Sequence, residues 1–231
     1  MSNFNSDGSQ ENDWDDRGEL AWNEFDWERY LREQDDAVTR YLALYVAAKG
    51  DPVRIDTVAE KMGWGHDDWT DEAGGTNAEE DDDEDDDDDD ADFDDDDVYT
   101  LHKNPIFIAT KAINLGLRRS WEKLAGDPAN APQSVAVSLL ASLHRGEEHS
   151  VEAINALDFG DYAMAVSLLK RAMSALNGTL ALLNAESSLS HPAVAAWRDE
   201  ALPQLFDLRE ICLRVIAECR DELDRPVDDE S

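Results

Sequence analysis

The chain has 231 residues, only two of them cysteines, and a formal net charge of −35. Its length suffices for one domain of ordinary size with extensions, or for two small domains. Acidic runs repel nucleic acid, so the charge argues against direct binding of DNA or RNA.

The first 18 residues are polar and acidic and lack the apolar core of a signal peptide. We therefore expect residues 1–18 to be disordered and the protein to be cytoplasmic. The most apolar stretch, from Tyr162 to Ala185, is interrupted by Lys170 and Arg171. A spanning helix needs about 20 predominantly apolar residues, so no membrane span is predicted.

Residues 19–70 are predicted to form a small N-terminal helical unit. Helical spacing of apolar residues predicts a helix from Glu19 to Lys49, which the Gly50–Pro52 turn ends. The apolar face consists of Leu20, Trp27, Leu31, Val38, Leu42 and Tyr45. A short second helix continues to about Met62. Two helices bury little surface alone, so the unit should pack on the C-terminal part or on a partner.

Aromatic and acidic residues alternate where the first helix begins. The aromatic ones are Trp22, Phe25, Trp27 and Tyr30, and they stand beside Glu24, Asp26 and Glu28. Such a segment can dock into a groove of a partner protein, or it can pack against the protein's own bundle. The four aromatic residues are therefore partner-binding candidates.

The segment from Arg54 to Trp69 has the sequence pattern of a helix-turn-helix, with a glycine turn after a short helix. A DNA-reading second element would be basic, because phosphate contacts dominate affinity. Here the second element is acidic, from His66 to Glu72. We expect no DNA contact, and instead a helical turn that packs Trp64 and Trp69 on an apolar surface.

Residues 71–98 are predicted to be a disordered acidic linker. Within them, residues 79–97 carry 17 acidic side chains and no basic one, and Phe93 is the only large apolar residue. Such a segment cannot bury enough surface to offset the entropy of ordering, and its self-repulsion keeps it extended. A spacer is the favoured interpretation. The alternatives are a charge mimic that binds basic proteins and a segment that weakly binds divalent cations.

Residues 99–225 are predicted to form four helices, followed by a disordered tail over residues 226–231. The first helix starts at Asn104-Pro105 and ends before Gly126, and the second runs from Pro132 to Asp158. The third helix follows the Gly160-Asp161 turn and ends near Glu186. Ser190 is the predicted cap of the fourth helix, which has Pro192 in its first turn. Short connections favour an up-down four-helix bundle. The third helix carries few charges, so we expect it at the centre, and any uncovered face as a homodimer interface.

The fourth helix should bury one long apolar stripe. Its members are Val194, Trp197, Ala201, Leu205, Leu208, Cys212, Val215, Cys219 and Leu223. Cys212 and Cys219 stand about 10.5 Å apart along the helix axis, and a disulfide needs Cα atoms within about 7 Å. We expect two free, buried thiols. Pro203 should kink this helix, because proline removes one backbone hydrogen bond.

The turn between the second and third helices carries a local family resemblance. Gly160, Asp161 and Tyr162, followed by Ala165, Leu169 and Ala172, resemble the inter-helix turn and second helix of a tetratricopeptide repeat (TPR). The resemblance implies a tightly packed TPR-like hairpin. A peptide-binding groove, with Tyr162 as a candidate residue, is the alternative that it implies. The preceding helix departs from the pattern, and no second copy is visible.

The second helix also carries a cluster that invites a metal hypothesis: His144, Glu147, Glu148, His149 and Glu152. The spacing matches no known ligand motif, and the other helices lack inward carboxylates for a di-metal site. A solvated face is the favoured interpretation. Glu147 is the exception, because it shares a stripe with apolar residues; there it needs a cationic partner. The candidates are Arg118, Arg119 or an arginine of the fourth helix.

The sequence contains no phosphate-binding glycine loop, nucleophile elbow or paired Cys/His ligand motif. We therefore predict an all-α, non-catalytic protein-interaction or adaptor protein without a cofactor. A helical-bundle metalloprotein and an acidic nucleic-acid mimic that regulates a basic protein are the two alternatives.

Overall fold

The computed structural model describes residues 22–65 and 104–225, and these residues are all-α, without a strand. The described helices are α1 Glu24–Ala47, α2 Arg54–Met62, α3 Pro105–Ala125, α4 Gln133–Asp158, α5 Tyr162–Asn184, α6 Glu186–Leu189 and α7 Pro192–Asp224. The predicted all-α fold is confirmed. The predicted disordered segments 1–18, 71–98 and 226–231 lie outside the described residues, as does Trp69.

Local capping interactions set the starts of α3 and α5 as the sequence predicts. The Asn104 side chain accepts hydrogen bonds from the backbone amides of Ile106 and Phe107, at 2.8 and 3.3 Å. Asp161 accepts one from the amide of Met164 at 2.9 Å, and Gly160 supplies the left-handed turn with φ 71°. The second and third predicted helices therefore meet in the expected tight hairpin.

Two predicted helix starts are wrong. Helix α1 begins at Glu24 rather than Glu19, because Asn23 and Asp26 form a capping box there. Helix α5 ends at Asn184, two residues from its predicted end near Glu186, and the short α6 follows.

Ser190 does not cap α7. The residue before that helix is His191, and its side chain makes no capping hydrogen bond. The Ser190 hydroxyl instead donates to the carbonyl of Ser187 at 3.1 Å, where it closes α6.

Helices α3, α4, α5 and α7 form the predicted four-helix bundle, in which each helix contacts the next and α7 returns to α3. Helices α4 and α5 run antiparallel. Thr179 donates a hydrogen bond to Ser142 at 2.9 Å, and a side chain at Gly146 would meet Leu176. Small residues along this contact let the two helices approach closely.

The centre of the assembly is α3, not the third predicted helix. Nearly every residue of α3 from Ile106 to Asn114 is buried, because α1 covers its outer side. Helix α5 keeps an exposed face of mostly small and polar side chains, including Ser167, Lys170 and Ser174. The composition of α5 suggested burial on all sides, but these residues share one face. A homodimer stays a prediction.

The N-terminal helices pack on the bundle, which was one of the two predicted arrangements. The buried face of α1 consists of Tyr30, Gln34, Val38, Tyr41 and Tyr45. It shares Val38 and Tyr45 with the predicted face, but Trp27 and Leu31 are exposed. Trp64 stacks on the Tyr41 ring, with 5.6 Å between centroids, as the helical-turn interpretation of this segment predicts.

The predicted stripe of α7 is buried from Val194 to Cys219, whereas Leu223 is exposed in the last turn. Both cysteines are buried and free, and burial raises the pKa of each thiol to about 11. The helix continues through Pro203, which lies on its exposed side.

A polar cluster joins α1 and α2 to α7, and we call it the Asp207 cluster (Tyr45, Arg54 and Asp207). The Asp207 carboxylate accepts a hydrogen bond from the Tyr45 hydroxyl at 2.6 Å and another from Nε of Arg54. The Arg54 guanidinium also lies 4.3 Å above the centroid of the Tyr45 ring. Nearby, Arg214 of α7 pairs with Asp56 of α2. These contacts fix the position of the N-terminal unit.

We expect Arg54→Ala to lower the free energy of unfolding by about 3 kcal/mol, because a partly buried carboxylate then loses its cation. Urea unfolding followed by circular dichroism measures the change. Arg29→Ala is the matched control: its pair with Asp26 is solvent-exposed, and such pairs contribute about 0–1 kcal/mol. Equal losses in the two variants would contradict the structural role of the cluster.

A second test compares two glycines inside helices. A Cβ at Gly116 would lie 2.9 Å from Cδ1 of Leu42 on α1, whereas a Cβ at Gly178 has Ser142 Oγ as its nearest neighbour, at 3.6 Å. We expect Gly178→Ala to stabilise the fold by about 0.5–1 kcal/mol. Gly116→Ala should lack this gain and should also lower the free energy of unfolding by up to about 1 kcal/mol, because Leu42 must move. Equal gains in both variants would argue against the close contact of α1 with α3.

Candidate functional site

A cleft of about 740 Å³ opens between the α1–α2 turn, α3 and α7. Its position follows from the residues that border it. Gly116 of α3 and Pro203 of α7 both line it, and Leu42 of α1 borders it close to Gly116. The α1–α2 turn is held by Asp51, which accepts hydrogen bonds from Val53 N at 3.0 Å and Thr57 Oγ1 at 2.8 Å. These bonds also lower the pKa of the Asp51 carboxyl.

The lips of the cleft are apolar and exposed. Val46 on α1 is 62% exposed and Phe206 on α7 is 51% exposed, although both are large apolar residues. The floor includes Trp197, whose Nε1 donates to Ser120 Oγ at 2.9 Å and whose ring lies 4.8 Å from that of Trp121. A fixed aromatic floor between exposed apolar lips is suited to hold an apolar side chain.

The Asp207 cluster forms the polar end of the cleft. Burial and the hydrogen bond to Asp207 raise the pKa of Tyr45, so its hydroxyl stays protonated and donates. Arg54 is almost fully buried, and its Nη2 atom has no hydrogen-bond acceptor within the described part of the chain.

Charged residues surround the opening. Four acidic residues line the cleft, against two basic ones: Asp51, Asp199, Glu200 and Asp207, with Lys49 and Arg54. Lys49 Nζ lies 3.6 Å from Glu200 Oε1, and both side chains are exposed. Gln204 donates a hydrogen bond to the Glu200 carbonyl at 3.1 Å. The rim is therefore acidic on balance.

The aromatic residues predicted to bind a partner lie at the other end of α1. The Trp22 ring is 4.9 Å from Trp27 and 5.2 Å from Tyr30, so three of the four form one cluster. Tyr30 is buried, whereas Phe25 points into solvent. Phe25 and Val46 stand about 30 Å apart along the helix axis, so this cluster is not part of the cleft. Tyr162 begins α5 and is partly buried.

The histidine and glutamate residues of α4 are not brought together as a set of ligands. Glu147 accepts a hydrogen bond from Arg118 Nη1 at 2.9 Å, which supplies the cationic partner that its position requires. His149 Nδ1 lies 3.0 Å from Glu152 Oε2, and His144 and Glu148 are exposed. Within residues 22–65 and 104–225, no three His, Cys, Asp or Glu side chains are placed to hold a metal ion.

The sequence reasoning missed the cleft, although it named some of its residues. Trp197 and Pro203 were placed in the last helix as a core residue and a kink. Tyr45 was placed on the apolar face of the first helix. The contact that completes the cleft joins Arg54 to Asp207, 153 positions apart. No local pattern reports such a pairing. The available signal was an aspartate directly before Leu208, within the apolar stripe of α7.

Comparison with protein-family models, with curated proteins and with solved structures found no match for this chain. Among the helices that the structure describes, none combines the length and the apolarity needed to cross a bilayer.

Glu218 lies on α7 near the Arg214–Asp56 pair and gives a pH-dependent prediction. Burial raises the pKa of its carboxyl to about 7, although the Arg214 guanidinium lowers it in part. The folded protein therefore holds a proton that the unfolded chain releases near its ordinary value of 4.5. Stability should decrease as the pH rises from about 4.5 to 7.

We expect Glu218→Gln to be more stable than the wild type by about 1 kcal/mol at pH 8, because the half-exposed carboxylate is partly screened. The difference should vanish near pH 4. Thermal unfolding across this pH range measures it, with Glu148→Gln at an exposed position of α4 as the control. A pH-independent effect of Glu218→Gln would contradict the assignment.

Proposed function

We infer that this chain is a non-catalytic protein-interaction protein, an adaptor, which holds an apolar segment of a partner protein in the cleft. The observation that carries this proposal is the pair of exposed apolar lips, Val46 and Phe206, above the fixed Trp197 ring. The cleft volume lies within the range of about 300–1,000 Å³ that binding pockets occupy. When a partner covers exposed apolar side chains at such a cleft, the removal of their surface from water stabilises the complex.

The polar groups of the cleft support binding rather than catalysis. The Asp207 carboxylate is engaged by Tyr45 and Arg54, and burial keeps the Tyr45 hydroxyl protonated. The Ser120 hydroxyl donates to the Leu117 carbonyl at 2.9 Å and accepts from the Trp197 indole. In the described part of the cleft, each of these groups is used by the fold, and no hydroxyl is paired with a free general base.

The predicted acidic linker fits this proposal as a tether that also attracts basic partners. It lies outside the described residues, so its role stays a prediction, as does the cytoplasmic location.

Peptide selection from a random library, with the full-length protein as bait, tests the proposal. We expect the selected peptides to bind Phe206→Ser at least about tenfold more weakly, because burial of an aromatic ring contributes about 1.5–3 kcal/mol. Val137→Ser is the matched control, since Val137 is an exposed apolar residue of α4 outside the cleft. Peptides that bind Phe206→Ser and the wild type equally would overturn the cleft as the docking site.

A further inference from the structure

The geometry points to a specific cation site on the cleft: the lip around Pro203 receives a lysine or arginine side chain that flanks the apolar anchor of the bound segment. We call this part of the rim the Pro203 lip (Asp199, Glu200 and Pro203). The inference rests on the proposed function, because it names the chemistry of the segment that the cleft holds.

Pro203 deprives one carbonyl of α7 of its usual i+4 donor. In an α-helix the carbonyl of residue i accepts from the amide of residue i+4. Pro203 has no amide hydrogen, so the Asp199 carbonyl lacks this donor. Asp199 and Pro203 both line the cleft. A cationic side chain with several N–H donors can supply the missing hydrogen bond.

The two carboxylates beside that carbonyl are only weakly engaged. The Asp199 side chain is 71% exposed and the Glu200 side chain 67% exposed. Asp199 pairs with Arg198, which also donates to Asn184, and Glu200 has only the exposed Lys49 at 3.6 Å. Exposed pairs of this kind contribute about 0–1 kcal/mol. An incoming cation can therefore displace them at little cost.

The charged groups that line the cleft are acidic on balance. Arg54 is the buried cation of the cleft, and Asp207 already neutralises it. The remaining acidic residues that line the cleft, Asp51, Asp199 and Glu200, outnumber Lys49 and the Arg198 that pairs with Asp199. Complementary charge speeds encounter and selects partners. A basic segment is thus favoured over a neutral or an acidic one.

The spacing along α7 defines the ligand further. Phe206 follows Pro203 by about 4.5 Å and Asp199 by about 10.5 Å along the helix axis. A helical segment can match this span with a bulky apolar residue and a Lys or Arg about four to seven positions apart.

Three synthetic peptides of about 14 residues serve as probes, by analogy with helix-in-groove ligands. The first is a helix with Leu and Phe on one face and, on the same face, a Lys about four to seven positions from one of them. The second has Glu for Lys, and the third keeps Lys but has Ser for Leu and Phe. Fluorescence anisotropy with the full-length chain gives each Kd at about 50 and 200 mM salt, since screening weakens charge contacts. The Ser peptide reports attraction to charge alone.

We expect the Lys peptide to bind about tenfold more tightly than the Glu peptide, and to lose affinity on Phe206→Ser. The double variant Asp199→Lys/Glu200→Lys should reverse this preference. The matched control is Glu148→Lys/Glu152→Lys, which makes the same change in net charge on α4. Pro203→Ala restores the donor for the Asp199 carbonyl, so it should weaken the Lys peptide about two- to fivefold without loss of stability.

The outcomes separate the two proposals. If the α4 charge reversal acts as strongly as the reversal at the Pro203 lip, the attraction is general and the cation site is overturned. If the Glu peptide binds as tightly as the Lys peptide and both depend on Phe206, the cleft docks a partner but the cation site is again overturned. If no peptide depends on Phe206, the docking site itself fails.

Discussion

The carboxylate of Asp207 fixes how the two parts of this chain meet. It accepts one hydrogen bond from α1, through Tyr45, and one from the first residue of α2, Arg54. A buried guanidinium needs a counter-charge, and within the described residues Asp207 is the acid that pairs with Arg54. The N-terminal helices can therefore satisfy this charge in one position on α7. Hydrophobic contacts between α1 and α3 bury apolar surface, whereas the charged pair fixes the position of the N-terminal helices along α7.

This mode of attachment also explains why a cleft exists. Polar contacts at Asp207 and the close approach of Leu42 to Gly116 hold α1 to the bundle at two places. Beside them the α1–α2 turn meets α7 through the exposed Lys49–Glu200 pair, and the space lined by Trp197 is left open. Because α1, α3 and α7 all contribute walls, the cleft is complete only when the N-terminal unit is docked. Binding in the cleft and docking of the unit are consequently linked in free energy.

Local chemistry made the starts of α3 and α5 predictable, and the absence of local chemistry made the site unpredictable. Asn104 and Asp161 cap their helices with amides two or three residues away, so the sequence alone reports them. Which face of α1 is buried depends on α3, across a gap of dozens of residues, and the periodicity did not distinguish Trp27 from Tyr30. The placement of α3 rather than α5 at the centre likewise depends on α1. The cleft depends on the pairing of Arg54 with Asp207, which are 153 positions apart in the sequence.

Pro203 connects the energetics of the fold with its function. A proline inside a helix costs about 3 kcal/mol or more, through a lost hydrogen bond and crowding of the preceding turn. At other positions the chain follows local rules, with proline at the first position of α3 and α7 and glycine in the turns. A departure from such rules on an exposed helix side is a candidate functional feature when it lies at a site. Here it leaves the Asp199 carbonyl without its helical donor on the wall of the cleft, where a ligand can use it.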